Sequence, residues 1–259
     1  MTPKPQKSKV IKQRLDLILV ERGLAESRQK AQAMLLAGEV RVNGQRNEKP
    51  GERFPTDASI EIAGGQQRYV GRGGFKLEGA LHDFGVDPAG KICLDVGSST
   101  GGFTDCLLQR GAAHVFAVDV TPDQMAWRLQ QDPRVRRIQR NARELAPADL
   151  ILSMPAKLPA PQLITIDLAF ISVTKVLPAV VTAAAPAAEF LILIKPQFEL
   201  DRHDIGKGGI VRDPQLHARA IERIREAALA AGLIVLGVQP SHLPGAEGNQ
   251  EFFLHARRA

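Results

Sequence analysis

Cysteine is scarce in this chain of 259 residues: only Cys93 and Cys106 occur, both inside apolar stretches. Two such residues read as small core side chains of a reduced, cytoplasmic protein. They do not make a disulfide framework or a zinc site, and no metal is expected. No apolar run is long enough to span a bilayer, and the amino-terminal residues lack the apolar centre of a secretory signal. A membrane-active role therefore has no support in the sequence. No internal repeat is present. The G-x-G-x-x-G turn of hydride-transfer enzymes is missing too, which weighs against a nicotinamide-dependent oxidoreductase. The first part of the chain is short of acid: residues 1–75 hold 14 Lys and Arg against 8 Asp and Glu, whereas the other 184 residues carry 20 of each. The whole net charge of +6 thus lies in that first part, the footprint of a polyanionic partner.

The length suits a large and a small domain, and 44% hydrophobic residues suffice for a core without staples. Residues 1–12, rich in Pro and Lys, are expected to be a disordered basic tail. A compact unit over residues 13–63 follows. Leu15, Ile18 and Leu19 recur at helical spacing up to Arg22-Gly23. Ser27 is placed to cap a second helix over residues 28–37, stopped by Gly38. The VRVNGQ stretch, residues 40–45, signals a hairpin turning at Asn43-Gly44, and a strand is expected at 59–62. Residues 64–75 read as a Gly-rich linker. In it Arg68, Tyr69 and Arg72 interleave charge and aromatic surface suited to RNA. From Lys76 an α/β pattern runs to the end. A helix is expected over 76–84, then strands at 91–96, 114–119, 135–139, 163–167, 190–195, 233–239 and 251–257. Helical segments at 103–110, 122–131, 171–185 and 214–231 separate most of them.

The centre of that pattern is ICLDVGSSTGGFTD, residues 92–105: strand, tight turn, helix. Parallel sheets bind cofactors at such turns, because glycines admit a close ligand and the helix start offers free N–H groups. Gly97, Ser98, Thr100, Gly101, Gly102 and Phe103 are the candidate cradle. Asp95, two residues before the first glycine, would repel a pyrophosphate and suits a cationic ligand. Further on, Asp167 closes the apolar strand LITID, and Lys195 closes FLILIK ahead of Pro196. A lysine ending a buried strand should be partly desolvated, which lowers its pKa from about 10.4. Glu251 opens the last strand, with Glu247 as the competing carboxylate.

These motifs carry a resemblance. The glycine turn resembles motif I of S-adenosylmethionine-dependent methyltransferases. The stretch from Arg14 to Gly44 resembles the small RNA-binding domain named after ribosomal protein S4. Lys76, Asp167, Lys195 and Glu251 resemble the Lys-Asp-Lys-Glu set of FtsJ-type ribose 2′-O-methyltransferases. Together with GRGGFKL, IDLAFIS, LIKPQFE, GIVRDP and GNQEFFL, the chain is similar to the TlyA, or haemolysin-A-like, family over almost its full length. The resemblance implies a Rossmann-like seven-stranded sheet with its last strand antiparallel, over residues 76–259, behind an α+β RNA-binding domain. It implies S-adenosylmethionine as cofactor, with Asp119 on its ribose, Asn141 near its adenine and Asp167 by the methyl group. Lys195 would be the general base for a cytidine 2′-hydroxyl in ribosomal RNA, with Lys76 and Glu251 holding the ribose. Arg14, Arg22, Ser27, Arg28, Lys30, Arg41 and Asn43 would contact RNA. Gly208 to Arg212 would line the RNA side. A serine is expected where this chain has Gly71, and the glycine would loosen the linker. The alternatives are a catalytically silent RNA-binding module and, from the family's older name, a membrane-active protein.

Overall fold

A computed structural model describes residues 12–22, 24–25, 27–47, 49–62, 68–152, 158–245 and 248–259. The expected tail up to residue 11, residues 64–67 of the expected linker and Glu247 lie outside these. The chain divides into two compact units, residues 1–68 and 69–259.

In the first unit β1 (Lys12–Arg14) leads into α1 (Leu15–Glu21) and α2 (Arg28–Leu36), then β2 (Val40–Val42), β3 (Gln45–Arg46), β4 (Arg53–Pro55) and β5 (Ile60–Ile62). Lys12, expected in the tail, instead pairs with Pro55 in a two-stranded β1–β4 ribbon. The expected hairpin is there, because Asn43 (φ 52°) and Gly44 (φ 81°) both take the left-handed conformation that such turns demand. Leu15, Leu19, Ala31, Leu35, Val40 and Val42 close the small core.

The second unit contains α3 (Gly73–Asp83), β6 (Ile92–Val96), α4 (Gly102–Gln109), β7 (His114–Asp119), α5 (Trp127–Gln130), β8 (Val135–Gln139), α6 (Pro147–Leu152), β9 (Leu163–Ile166), α7 (Leu177–Ala183), β10 (Glu189–Ile194), α8 (Pro196–Glu199), α9 (Pro214–Ala230), β11 (Leu233–Pro240) and β12 (Phe252–Arg258). The helix expected over 122–131 is broken into a 3-10 turn and the short α5. The one expected over 171–185 likewise divides into a 3-10 turn and α7. The strand order is β11-β12-β10-β9-β6-β7-β8, and β12 runs antiparallel to both of its neighbours. The order reverses between β6 and β9, and a crevice opens at the carboxyl ends of strands at such a switch point.

Part of the expected linker is instead structural. Tyr69 is fully buried, with its ring edge-on to Phe75 at a centroid distance of 5.1 Å. Residues 73–75 already belong to α3, three residues ahead of the expected start.

Strand alternation decides which side chains meet. On β9, β10 and β12, Ile164, Ile166, Ile192, Ile194, Leu254 and Ala256 point into the core that α7 and α9 cover. Leu163, Leu191, Leu193 and Phe253 point into the other, which α3 and α4 cover. Successive side chains alternate faces, so Asp167, Lys195 and Glu251, continuing the second set, fall on the α3 side.

Candidate active site

The glycine turn is built around the switch point. Gly97 has φ 86°, and a Cβ there would stand 2.1 Å from the Asp167 carbonyl oxygen. Asp167 N–H donates to Val96 O at 2.9 Å, so the turn after β6 and the end of β9 are locked side by side. Gly101 also has positive φ, and Gly102 starts α4 where a Cβ would crowd Gly74 N of α3 at 3.1 Å. A cavity of about 190 Å³ results, lined by Gly71, Arg72, Gly73, Gly97, Ser98, Ser99, Thr100, Gly102, Phe103 and Asp167. Gly71 is thus part of its wall rather than loose linker, and a Cβ there would meet Thr100 Oγ1 at 2.9 Å. Gly101 lies behind the wall, with its α-hydrogen toward Leu129.

Asp119 stands at the end of β7. Its carboxylate accepts Ser99 N–H at 2.9 Å, Thr121 N–H at 2.9 Å and Thr121 Oγ at 3.2 Å. It holds the turn in shape and stays partly exposed, with lone pairs to spare for hydroxyl donors. Asp95 corrects the sequence expectation. It has no exposed surface and accepts Thr104 Oγ at 2.6 Å and Thr165 Oγ at 3.1 Å, beneath α4. Burial pushes its carboxyl up to about 7, against those two hydrogen bonds. It braces the turn from below and does not line the cavity. Asn141 caps a 3-10 turn, its Oδ1 accepting Arg143 N–H at 3.1 Å.

Four charged groups meet beside the cavity. Lys195 Nζ is ion-paired with Asp167 Oδ1. Lys76, from the buried face of α3, donates to Glu251 Oε2 at 2.6 Å. Glu251 is 2% exposed, and burial raises its pKa against the pull of the Lys76 and Lys195 ammonium groups, with Asp167 adding to the rise. All four therefore lie within electrostatic reach of one another. Gly245 leaves room for them, since a Cβ there would sit 2.6 Å from Glu251 Oε1.

Four further residues escaped sequence reasoning. Phe170, three residues after Asp167, is 91% exposed and holds φ 65°, a strained conformation for an aromatic residue. Its ring lies 5.4 Å from that of Phe198, three residues after Lys195. The repeated offset of three was the available signal. Glu199 and Asn249 are buried polar anchors: Asn249 accepts Val211 N–H at 2.8 Å and donates to Gly209 O at 2.9 Å, which ties the 208–212 loop to the last strand.

In the first unit the candidate RNA contacts differ in how free they are. Lys30 and Arg41 are exposed. Arg22 donates to Ala58 O at 2.7 Å and also bonds Thr56 O. Ser27 caps α2 by accepting Lys30 N–H at 3.2 Å, and Asn43 accepts Ser59 N–H at 3.2 Å. Arg14 and Arg28 both bind Asp16, which is fully buried and whose carboxyl those guanidinium bonds and Gln32 hold well below the usual range. Arg68 and Arg72 are exposed, and Arg72 also lines the cavity.

The sheet with its antiparallel last strand, the glycine turn at the switch point and the paired carboxylates and amines define a methyltransferase of the S-adenosylmethionine-dependent class. The residues present suit that cofactor. Ser98 Oγ is buried without a hydrogen-bond partner among the described residues, Gly97 admits close approach, and carboxylates favour a sulfonium and an amine. The model of the FtsJ-like methyltransferases matches residues 69–258, and that of the S4 domain matches residues 13–59. The chain belongs to the TlyA/hemolysin A family, in which these two parts are joined. It is 47% identical over 245 residues to the Bacillus subtilis protein named "Putative rRNA methyltransferase YqxC", covering 94% of this chain and 85% of that one. It is 44% identical over 246 residues to the "16S/23S rRNA (cytidine-2'-O)-methyltransferase TlyA" of Mycobacterium tuberculosis, covering 94% and 89%. A solved structure titled "Putative hemolysin from Streptococcus thermophilus" aligns over 97% of this chain and 90% of that one, with a TM-score of 0.73 and 38% identity. Among the described residues no helix is long and apolar enough to cross a membrane.

Proposed function

We propose that this protein transfers a methyl group from S-adenosylmethionine to the 2′-hydroxyl of a cytidine in ribosomal RNA. The observation that carries the reading is Asp167, which lines the glycine cavity and is ion-paired with Lys195. One carboxylate thus touches the cofactor's space and the amine that faces the substrate. The cofactor, when bound, supplies an electrophilic methyl carbon on a sulfonium. Gly97, Ser98, Thr100, Gly102 and Phe103 would hold it, with Asp119 accepting its ribose hydroxyls.

A ribose hydroxyl is a poor nucleophile and must give up its proton during in-line attack. Lys195, once its ammonium has released its own proton to solvent, takes the hydroxyl proton, and Asp167 fixes where its Nζ points. Lys76 and Glu251 hold each other in place and hold the target ribose beside Lys195. Alignment of the reacting oxygen supplies much of the acceleration. Phe170, exposed three residues after Asp167, offers a ring on which an unstacked base rests, the usual way proteins seize single-stranded RNA.

Ribosomal RNA and cytidine as targets are supported by the names of the relatives. The S4 domain and the basic excess of the first 75 residues support an RNA partner. Such a substrate places the enzyme in the cytoplasm. The amine's role is checked with Lys195→Ala. Transfer from labelled S-adenosylmethionine to ribosomal RNA should fall roughly 10²–10⁴-fold while cofactor binding by calorimetry persists. Transfer at the parental rate would remove Lys195 from the mechanism.

A further inference from the structure

Two segments carry the reacting groups: the loop 167–172 after β9, and Lys195 with α8 after β10. The strands themselves are parallel neighbours, with Ile166 opposite Ile192. Beyond the strand ends the ladder of backbone bonds stops, yet the two segments remain joined by three side-chain rungs. Asp167 pairs with Lys195. Phe170 packs on Phe198. Glu199 accepts Ser172 Oγ at 2.5 Å and Val173 N–H at 2.9 Å.

The last rung is built differently from an ordinary surface bond. Glu199 is 2% exposed and Ser172 8%. Burial raises the Glu199 pKa, against the bonds from Ser172 and Val173 and the charge of Arg223. A buried carboxylate is costly unless well partnered, and Ser172 and Val173 supply those partners. Its own backbone is pinned from behind, for Arg223 of α9 donates to Glu199 O at 2.7 Å. Ser172 Oγ in turn meets Thr174 Oγ1 at 2.8 Å and accepts Thr174 N–H at 3.2 Å, which starts the next turn of chain. Phe170, two residues earlier, is held at φ 65°. A strained residue keeps its conformation only where its surroundings over-determine it. Of the two residues flanking this loop, Asp167 is fixed by Lys195 and Val96, and Ser172 by Glu199.

We infer that Glu199 is a positioning residue of the reaction: through Ser172 and Val173 it holds the 167–172 loop so that Phe170 presents its ring beside the Asp167–Lys195 pair. The inference rests on the methyltransferase reading above and adds to it a residue that touches neither cofactor nor RNA. It sets the target nucleoside's position and so acts on RNA turnover rather than on cofactor binding.

The test is a double-mutant cycle of Glu199→Ala and Phe170→Ala in the full-length protein, with ribosomal subunits lacking the modification as substrate. Glu199→Ala alone should lower kcat/KM for RNA roughly tenfold or more, as a misplacement near 1 Å does, with the S-adenosylmethionine dissociation constant unchanged. In the Phe170→Ala background the same change should cost little further. Glu199→Gln, which can still accept from Val173 N–H and donate to Ser172 Oγ, should restore most of the rate. Equal losses in both backgrounds, or failure of Glu199→Gln to rescue, would overturn the inference. If Glu199→Ala unfolds, the Glu199→Gln and Ser172→Ala variants decide it, the first expected near parental and the second impaired only while Phe170 is present. A parental protein that transfers no methyl group would instead defeat the methyltransferase reading itself.

Discussion

Asp95 shows how far a single residue can depart from what its position suggests. Two places before the glycines it looks like a ligand carboxylate, yet pleat alternation puts it opposite Thr165 and under Thr104. Its pKa, raised to about 7, has a definite sign for stability. The folded state holds the proton more tightly than the unfolded chain, whose carboxyl titrates near 3.9. The stabilisation is therefore full below about pH 4 and is lost as pH rises toward 7. Asp95→Asn should flatten the dependence of Tm on pH across that window, as read by calorimetry in matched buffers. Glu251 calls for the opposite care. It is 2% exposed against Lys76 at 2.6 Å, so removing it strands a buried ammonium, which costs about 3–5 kcal/mol. Glu251→Ala is expected to lower Tm by several degrees as well as abolish transfer, whereas Glu251→Gln should lose transfer with a smaller change in Tm.

At the scale of elements, much of the catalytic unit could be read before any coordinates, for physical reasons that differ by element. Apolar runs such as residues 92–94 and 190–194 stand out as strands because they are buried on both faces. Their ends carry the polar groups, so Asp167, Lys195 and Glu251 were legible as strand-end residues. Alternation then set them on one face with Lys76. The start of α3 was not legible, since Gly73-Gly74 opens it and glycine is a poor helix former. Those glycines are there because neighbours leave no room: a Cβ on Gly74 would strike the Tyr69 ring at 2.3 Å. The buried Tyr69 was mistaken for linker on the same ground, as local composition carries no sign of what packs from elsewhere. Phe170 and Glu199 act through contacts between the segments after β9 and after β10; for Phe170 the repeated offset of three was the one sign, and for Glu199 there was none. The glycine turn yields its own prediction. Gly97 and Gly111 share φ 86°, but a Cβ on Gly111 would meet nothing nearer than 3.5 Å. Gly97→Ala should therefore lower Tm more than Gly111→Ala does, and only Gly97→Ala should lose S-adenosylmethionine binding by calorimetry.

For the whole molecule, division of labour follows from charge. The unit ending at Arg68 bears the basic excess, and the unit from Tyr69 onward bears the cofactor cavity. Exposed Lys30 and Arg41 should act on RNA affinity without touching the chemistry. Replacing either by Gln should weaken RNA binding and reduce the slope of log affinity against log salt by about one, with cofactor affinity unchanged. The cofactor cavity and its four charged neighbours should methylate a ribose oxygen. Ribosomal RNA incubated with the protein and methyl-deuterated S-adenosylmethionine, then digested to nucleosides, reports on it directly by mass spectrometry. The label should appear in 2′-O-methylcytidine and vanish with Lys195→Ala. Label on a base, or no label from a protein that binds both S-adenosylmethionine and RNA, would contradict the account.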